Sequence, residues 1–265
     1  MNSITIGQYY PADSLIHRMD PRVKITGAFL LLIGAFLIES VPGLIFSLLF
    51  LGVITALSKV PFRHMIRSLR GIVVILAIAV IFNIFMVPGN AILTLGALTV
   101  TDAGLIKAGY MFFRLTYIVA GTSLMTYTTT PVRLTEGLER IFAPLSLIKV
   151  PVREIAMIMS IALRFIPVLG EEAQKIKTAQ MSRGADFESG NILVRAKSMV
   201  PVLVPLFVSA FRRADELSIA MESRCYDPSA KRGSMKPLRF GLRDGLAFLC
   251  LGAYMGIMVT IRVLI

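Results

Sequence analysis

Five apolar segments, each about as long as a membrane-spanning helix, are the feature that most constrains how this chain can fold. They occupy residues 23–40, 41–58, 72–88, 105–125 and 246–264. A spanning helix needs about 17–25 apolar residues. A hydrophobic content of 55% and a mean hydropathy of +0.75 are also above those of ordinary globular domains. The sequence therefore predicts an all-α integral membrane protein with about five transmembrane helices.

The positions of the basic residues predict the orientation of these helices. Cytoplasmic connections of membrane proteins carry an excess of Lys and Arg. Here the N-terminal segment and the second connection carry them, at Arg18, Arg22, Lys24, Lys59, Arg63, Arg67 and Arg70, whereas residues 87–102 contain none. We therefore expect a cytoplasmic N-terminus. Because basic residues alternate with apolar segments, the net charge of +12 indicates the cytoplasmic face of a membrane protein rather than nucleic-acid binding.

A long stretch rich in Lys and Arg, residues 129–244, is predicted to be a cytoplasmic domain. It contains two short apolar runs, at 155–169 and 199–211, which prolines interrupt. If both runs crossed the bilayer, the basic segment between them would lie outside, against the charge rule. We therefore expect long cytoplasmic or interfacial helices. The predicted organisation is a cytoplasmic segment with four transmembrane helices at 1–128, the helical domain at 129–244 and a last transmembrane helix at 245–265.

One short polar pattern, Ala-x-x-Ser-Arg-x-x-Asp, occurs twice in this cytoplasmic domain. It reads "AQMSRGAD" at 179–186 and "AMESRCYD" at 220–227, with the two arginines 41 positions apart (224 − 183). Each copy ends a long helical pattern, and small residues flank each arginine. Arginine has five donors in a rigid fork, which suits binding to the carboxylates or carbonyls of a partner.

A purely structural explanation exists for each copy alone. The helix macrodipole favours Arg near a helix C-terminus, and Gly184 resembles a C-cap glycine. Two copies on two basic helices favour docking instead. The repeat predicts a partner with two equivalent grooves, such as a dimer of two similar ATPase subunits.

The N-terminal stretch "YYPADSLIHRMDPRVKI", at 9–25, resembles a motif of the energy-coupling factor transporter transmembrane protein family, EcfT. The matching positions are Ser14, His17, Asp20, Pro21, Arg22 and Lys24. The two Ser-Arg patterns resemble the paired Ala-Arg-Gly type motifs of that family, and the second continues in a similar way, as "AMESRCYDP" at 220–228. The resemblance extends over essentially the whole chain.

This resemblance implies a non-catalytic scaffold, the T component of a vitamin or trace-metal importer in a prokaryotic cell membrane. It implies two ATPase partners, EcfA and EcfA′, which bind ATP and Mg²⁺, and one or more S components that capture the substrate. It also implies that Arg183 and Arg224 dock on the ATPases, with Ser182, Gly184, Ser223 and Cys225 as their close neighbours. The chain itself is expected to hold no cofactor. It departs from the family in having Ser where Ala is common and Cys225 where Gly or Ser is common.

Two polar residues lie inside predicted spans. A charge at Arg114 is costly in a bilayer and marks a functional position by default. Asn83 suits either hydrogen bonding within the protein or a role at the S-component surface. His17 and His64 lack nearby Cys or carboxylate groups at ligand spacing, which disfavours a metal site. We expect His17 and Asp20 to form a local cap before Pro21.

Two other classes of protein compete with this interpretation. An ordinary ABC importer permease would carry a Glu-Ala-Ala motif followed by Gly; "EEAQKIKTA", at 171–179, begins this way but lacks the glycine. A membrane enzyme would need a nucleophile with a base, paired carboxylates or metal ligands. Glu171 and Glu172 are adjacent and so do not share a helix face. The sequence therefore favours a non-catalytic transporter subunit.

Overall fold

The computed structural model describes residues 9–95, 98–187, 189–227, 238 and 240–264, and most of them are helical. The helices are α1 (Pro21–Phe36), α2 (Val41–Ser58), α3 (Phe62–Arg70), α4 (Val73–Met86), α5 (Asp102–Thr128), α6 (Pro131–Phe142), α7 (Val152–Ser182), α8 (Ile192–Ser198), α9 (Val200–Glu222) and α10 (Leu242–Leu264), with a 3₁₀ turn at Ala143–Ile148. A two-stranded antiparallel hairpin, β1 (Ala91–Leu95) and β2 (Leu98–Thr101), precedes α5. The predicted all-α fold class is confirmed, with this hairpin as an addition.

Local sequence signals explain where several helices begin. Pro21 occupies the first position of α1, and the Asp20 side chain caps it by accepting from the Arg22 backbone N–H. Pro42 lies in the first turn of α2. Thr101 caps α5 by accepting from the Gly104 N–H. Proline fits these first positions because its missing N–H has no helical partner there, and a capping oxygen satisfies an N–H that would otherwise lack one.

The described chain forms two compact units. One unit contains the described residues of 9–141 and 238–264, and the other contains those of 142–227. In the first unit α5 packs against α1, α2, α3 and α4, while α10 packs against α1 and α2. Its core includes Tyr117 and Tyr254, whose hydroxyl oxygens are 2.9 Å apart, and the Ser47 hydroxyl lies 3.2 Å from that of Tyr254. In the second unit α7 packs against α9 and against the 3₁₀ turn.

All five predicted apolar segments are largely helical, but α1 and α5, which contain the segments at 23–40 and 105–125, are not among the helices long and apolar enough to cross a membrane. By length and composition, Val41–Ser58, Ile192–Glu222 and Leu242–Leu264 could each cross a membrane. The number rises to four if α3 and α4, bent by 68° at their junction, form one broken span. Ile192–Glu222 includes a run that we expected at the cytoplasmic surface. This helix is long and apolar enough to cross a membrane, but length and composition do not consider on which side of the membrane its flanking Lys and Arg residues would lie. The orientation and the three-part domain organisation stay predictions.

Candidate functional site

The first copy of the repeated pattern ends α7 in a Schellman motif. Gly184 has φ of +88°, in the left-handed region. Its N–H donates to the Met181 carbonyl at 3.0 Å, and the Ala185 N–H donates to the Gln180 carbonyl at 3.0 Å. These two bonds define the motif and satisfy carbonyls that the helix leaves free. The interpretation of Gly184 as a C-cap glycine is therefore confirmed.

The second copy ends α9 in the same way. Cys225 takes the position of Gly184, with φ of +55°. Its N–H donates to Glu222 at 2.9 Å, and the Tyr226 N–H donates to Met221 at 3.0 Å. The two Ser-Arg pairs thus occupy equivalent positions in equivalent turns. The Ser182 and Ser223 hydroxyls both bond to backbone carbonyls of their own helices, at Thr178 and Ala220.

Both arginines are directed away from the protein's own interactions. Arg183 and Arg224 are exposed, as are Gly184 and Cys225 beside them. Neither arginine forms an ion pair with any residue that the structure describes. Each guanidinium is therefore free to bind an external acceptor.

The two helices are joined at equivalent positions of the repeat. The Glu172 carboxylate on α7 accepts from Arg213 Nη2 on α9 at 3.0 Å and from the Ser209 hydroxyl at 2.5 Å. The Ser209 hydroxyl, and then the guanidinium of Arg213, hold the pKa of Glu172 below its usual value. Glu172 and Arg213 are 41 positions apart, the same interval that separates Arg183 from Arg224. No repeat pattern pointed to this pair, because Glu172 and Arg213 lie seven residues before the two copies (179 − 172 and 220 − 213) and are different residue types.

A second contact shows that α7 and α9 run antiparallel. The Tyr226 hydroxyl, just after α9, lies 2.9 Å from the Met157 sulfur near the start of α7. Arg183 and Arg224 each follow the contact residue of their own helix by eleven positions (183 − 172 and 224 − 213). At a rise of about 1.5 Å per residue, each lies roughly 16 Å from the Glu172–Arg213 contact, in opposite directions. The paired helices thus place the two arginines symmetrically about one point.

The N-terminal motif forms a hydrogen-bonded turn. The Ser14 Oγ lies 2.7 Å from His17 Nδ1, and His17 Nε2 lies 3.0 Å from the Tyr10 carbonyl oxygen. Burial lowers the pKa of the His17 imidazole, which favours the neutral ring. Because a carbonyl only accepts, the neutral ring donates from Nε2 to Tyr10 and accepts at Nδ1 from Ser14. The expected cap formed jointly by His17 and Asp20 is wrong in part: Asp20 caps α1, while His17 bonds to Ser14 and Tyr10.

Asp20 and Arg22 link this turn to the start of α10. Arg22 donates to both oxygens of Asp20, at 3.0 and 2.8 Å, and stacks on the Phe240 ring at 3.8 Å. Burial alone would raise the pKa of the Asp20 carboxyl, but the hydrogen bonds from Arg22 outweigh it, so the pKa lies below its usual value. The Asp20 N–H donates to Asp244 Oδ1 at 2.9 Å, and the Gly241 N–H donates to Asp244 Oδ2 at 2.9 Å. No local sequence signal pointed to Asp244.

Lys24 connects the same motif to the end of α5. Its Nζ donates to the carbonyl oxygens of His17, at 3.2 Å, and Thr128, at 2.9 Å. Pro21 is buried at the first position of α1, against Gly137 of α6. The six motif residues therefore lie close together and organise the chain around α1. They lie in a different compact unit from the two arginine motifs.

The two polar residues that lie inside predicted spans have partners within the chain. Arg114 Nη2 donates to the Ile38 carbonyl at 2.8 Å, just beyond the end of α1, and its guanidinium lies 5.8 Å from the Phe36 ring centre. The sequence could not name this partner. Asn83 Nδ2 donates to the Ala79 carbonyl one turn earlier in α4, at 2.8 Å. Over the part of the chain that the structure describes, no group of three or more His, Cys, Asp or Glu residues could hold a metal ion.

One unit of apolar helices, long enough in part to cross a membrane, defines a helical membrane protein. Comparison with known proteins identifies it as a transporter component. A family model described as CbiQ, cobalt transport protein, matches residues 12–235. The chain belongs to this family, and the resemblance to EcfT is confirmed by its relatives.

Three of these relatives carry the name energy-coupling factor transporter transmembrane protein EcfT. The protein of Ruminiclostridium cellulolyticum is 51% identical over 246 residues, covering 93% of this chain and 92% of its own. That of Thermosediminibacter oceani is 48% identical over 254 residues, covering 95% of each chain. That of Bacillus subtilis is 42% identical over 245 residues, covering 92% of each. The similarity to these transporter membrane components thus extends over nearly the whole chain.

Proposed function

We propose that this chain is the T component of an energy-coupling factor importer and that it transmits the motion of two ATPase subunits to a substrate-binding S component. Arg183 and Arg224 each dock in a groove of one ATPase. The observation that carries this proposal is the paired geometry of α7 and α9, whose equivalent turns present two unpaired arginines on either side of one contact.

The geometry indicates the kind of partner. Because α7 and α9 are antiparallel and meet at equivalent positions, a local two-fold relation holds between their ends. An ATPase dimer has such a relation between its two similar subunits. Two arginines about 33 Å apart along the helices would each meet one subunit. When ATP binding closes the dimer, the two helix ends would move relative to each other.

Apolar side chains on α9 provide a surface for the S component. Val204, Phe207 and Phe211 are 56%, 61% and 69% exposed, and their spacing places them on one face of the helix. Exposed apolar patches of this kind mark contacts with protein or membrane. In the proposal, movement of the arginine ends is transmitted along α7 and α9 to this surface and reorients the S component. The substrate, a vitamin or other micronutrient, is bound by the S component.

In this proposal the partner ATPases, and not this chain, hydrolyse ATP. The ATPases bind ATP and Mg²⁺, while this chain holds neither and remains non-catalytic. The chain lies in the cell membrane of a prokaryote with its N-terminus and both arginine motifs on the cytoplasmic side, where the ATPases and ATP are.

The test is co-purification of the ATPases with membranes containing Arg183→Glu, Arg224→Glu or the double variant. Each single variant should recover less ATPase, because one docking site becomes repulsive, and the double variant should recover almost none. Arg212→Glu is the matched control, since Arg212 is an exposed arginine in the middle of α9. Membrane insertion is checked by labelling the exposed Cys225 thiol from the cytoplasmic side.

Normal recovery of ATPase and normal uptake by the double variant would contradict the docking role. Equal losses in Arg212→Glu and in the two motif variants would indicate a general charge effect instead. Labelling of Cys225 only from outside would contradict the proposed orientation.

A further inference from the structure

The first compact unit, which contains α1 to α5 and α10 and is called the membrane unit below, contains an open apolar cavity. The cavity has a volume of about 390 Å³ and lies between α1, α2, α5 and α10. This volume falls within the range of about 300–1,000 Å³ that is usual for small-ligand sites. The lining is apolar along most of its length, with Leu31, Phe50, Gly121 and Leu251 at the deep end. Exposed Leu246 and Cys250 of α10 lie along its open side.

Among the described residues that line the cavity, the charged ones are Lys24 and Arg243, and both lie at the same end. Lys24 is in the first turn of α1 and Arg243 is in the first turn of α10. The ends of α2 and α5, at Leu57 and Thr128, border this end of the cavity as well. The cavity therefore runs from the level of the helix ends, at the membrane surface, into the apolar interior.

The two cations retain capacity to bind an anion. An ammonium has three donors, and Lys24 uses two of them on the carbonyls of His17 and Thr128. Arg243 is exposed and makes no hydrogen bond or ion pair with the described residues. The nearby carboxylates are already engaged, Asp20 by Arg22 and Asp244 by two backbone N–H groups. A negative ligand at this end would therefore find unsatisfied donors and a positive field.

The depth of the cavity fits within one leaflet of a bilayer. From Lys24 to Leu31 the α1 helix rises roughly 10 Å at about 1.5 Å per residue. One leaflet contributes roughly half of a hydrocarbon core of about 30 Å. A hydrocarbon chain entering beside Lys24 and Arg243 would thus fill the cavity without leaving its own leaflet.

We propose that this cavity binds one acyl chain of an anionic phospholipid, with the lipid phosphate held by Lys24 and Arg243. The apolar lining takes the chain, and the two cations select a negatively charged headgroup. In the predicted orientation the lipid belongs to the cytoplasmic leaflet. This inference concerns only the membrane unit and is independent of the docking of ATPases.

The absence of tryptophan from the sequence permits a sharp test. Leu246→Trp places a single fluorescent reporter at the cavity. Leu249→Trp is the matched control, because Leu249 is an exposed residue of α10 that does not line the cavity. Each full-length variant is reconstituted into vesicles that contain increasing fractions of brominated phosphatidylglycerol or brominated phosphatidylcholine. Quenching of the tryptophan reports the relative occupancy of its surroundings by each lipid.

At Leu246→Trp we expect about a thirtyfold preference for phosphatidylglycerol, because each of the two basic residues contributes about fivefold near an anionic lipid. Adding Arg243→Gln should reduce the preference to about fivefold, since Lys24 remains; Arg243 makes no hydrogen bond or ion pair with the described residues, so its removal should not unfold the chain. Adding Ala247→Phe, which fills the cavity but keeps both cations, should remove the preference. The Leu249→Trp reporter should show nearly equal quenching by both lipids.

Equal quenching by the two lipids at Leu246→Trp would overturn the proposal. So would a preference that Arg243→Gln leaves unchanged, or one equally strong at Leu249→Trp, because either would reflect general attraction to the membrane. A preference that Ala247→Phe leaves unchanged would show that the headgroup binds without a chain in the cavity, and it would equally overturn the assignment.

Discussion

Two residues with left-handed backbone conformation set the geometry of the docking turns. Gly184 adopts this conformation without a steric cost, whereas Cys225 adopts it at φ of +55° with a side chain. At Gly184 the backbone conformation is the only obstacle to a side chain, because a Cβ added there would meet no atom within 4 Å.

We expect Cys225→Gly to stabilise the end of α9 by about 1 kcal/mol and Gly184→Ala to destabilise the end of α7 by a similar amount. Thermal unfolding of the purified chain in detergent would measure both. The control is Gly252→Ala, in the middle of α10 with open space around it, which should stabilise by about 0.5–1 kcal/mol. A gain in stability from Gly184→Ala would contradict the assigned turn.

The lowered pKa of the Asp20 carboxyl predicts that the stability of the folded chain depends on pH. Its pKa in the folded chain lies below the usual value of 3.8 because hydrogen bonds from Arg22 outweigh burial. A depressed pKa contributes stability that is present above the usual pKa and lost as the pH falls through the folded value. The stability difference between the native chain and Asp20→Asn should therefore be constant near neutral pH and shrink below about pH 4. A difference that does not change between pH 7 and pH 3 would contradict this assignment.

The lengths of neighbouring helices explain how the half-buried Arg114 finds a partner. Helix α1 has 16 residues and α5 has 27. The chain after α1 therefore turns beside the middle of α5, where the Ile38 carbonyl accepts from Arg114. Arg114, which is isolated in an apolar segment of the sequence, thus contacts a free backbone carbonyl beyond the end of the shorter helix α1.

The pairing of α7 with α9 predicts a charge-swap result. Glu172→Arg or Arg213→Glu alone places like charges at the contact and should separate the helices, which would move the two docking arginines out of register. Recovery of ATPases with either single variant should fall, and the double swap should restore much of it. Arg212→Glu, which reverses the neighbouring charge without touching Glu172, should have little effect. Full recovery with both single variants would show that the contact does not position the arginines.

At the scale of the whole molecule, Asp244 joins the two ends of the membrane unit. It accepts from the backbone of Asp20, 224 positions earlier in the chain, and it is 5% exposed. This contact helps to hold the N-terminal motif, α1 and α10 as one body.

Asp244→Ala should lower the free energy of unfolding by about 1–3 kcal/mol, since it leaves a buried N–H without an acceptor. Asp244→Asn keeps an acceptor oxygen and should lose less. Unfolding in mixed micelles would measure both variants. The control is Asp13→Ala, which removes an ion pair whose side chains are 58% and 72% exposed and should cost under about 1 kcal/mol. Equal effects of Asp244→Ala and Asp13→Ala would contradict the structural role of Asp244.

Sequence reasoning predicted what depends on residues close together along the chain. Apolar length gave the helices, Asp20 and Pro21 gave the start of α1, and Gly184 gave the end of α7. The same reasoning paired His17 with Asp20, although the imidazole bonds instead to the Tyr10 carbonyl seven residues away. That bond depends on how the turn folds back, which composition and spacing do not specify.

A membrane protein of apolar helices, its repeated Ser-Arg pattern and its transporter family can thus be inferred from the residues alone. Helix formation and capping follow from hydrogen bonds within a few residues, so their signals are local. The three-dimensional structure was needed to find the partner of Arg114, the role of Asp244, the contact of Glu172 with Arg213 and the cavity ending at Lys24 and Arg243. These features join residues about 40 to 220 positions apart, and their contacts exist only because whole helices pack in one particular arrangement.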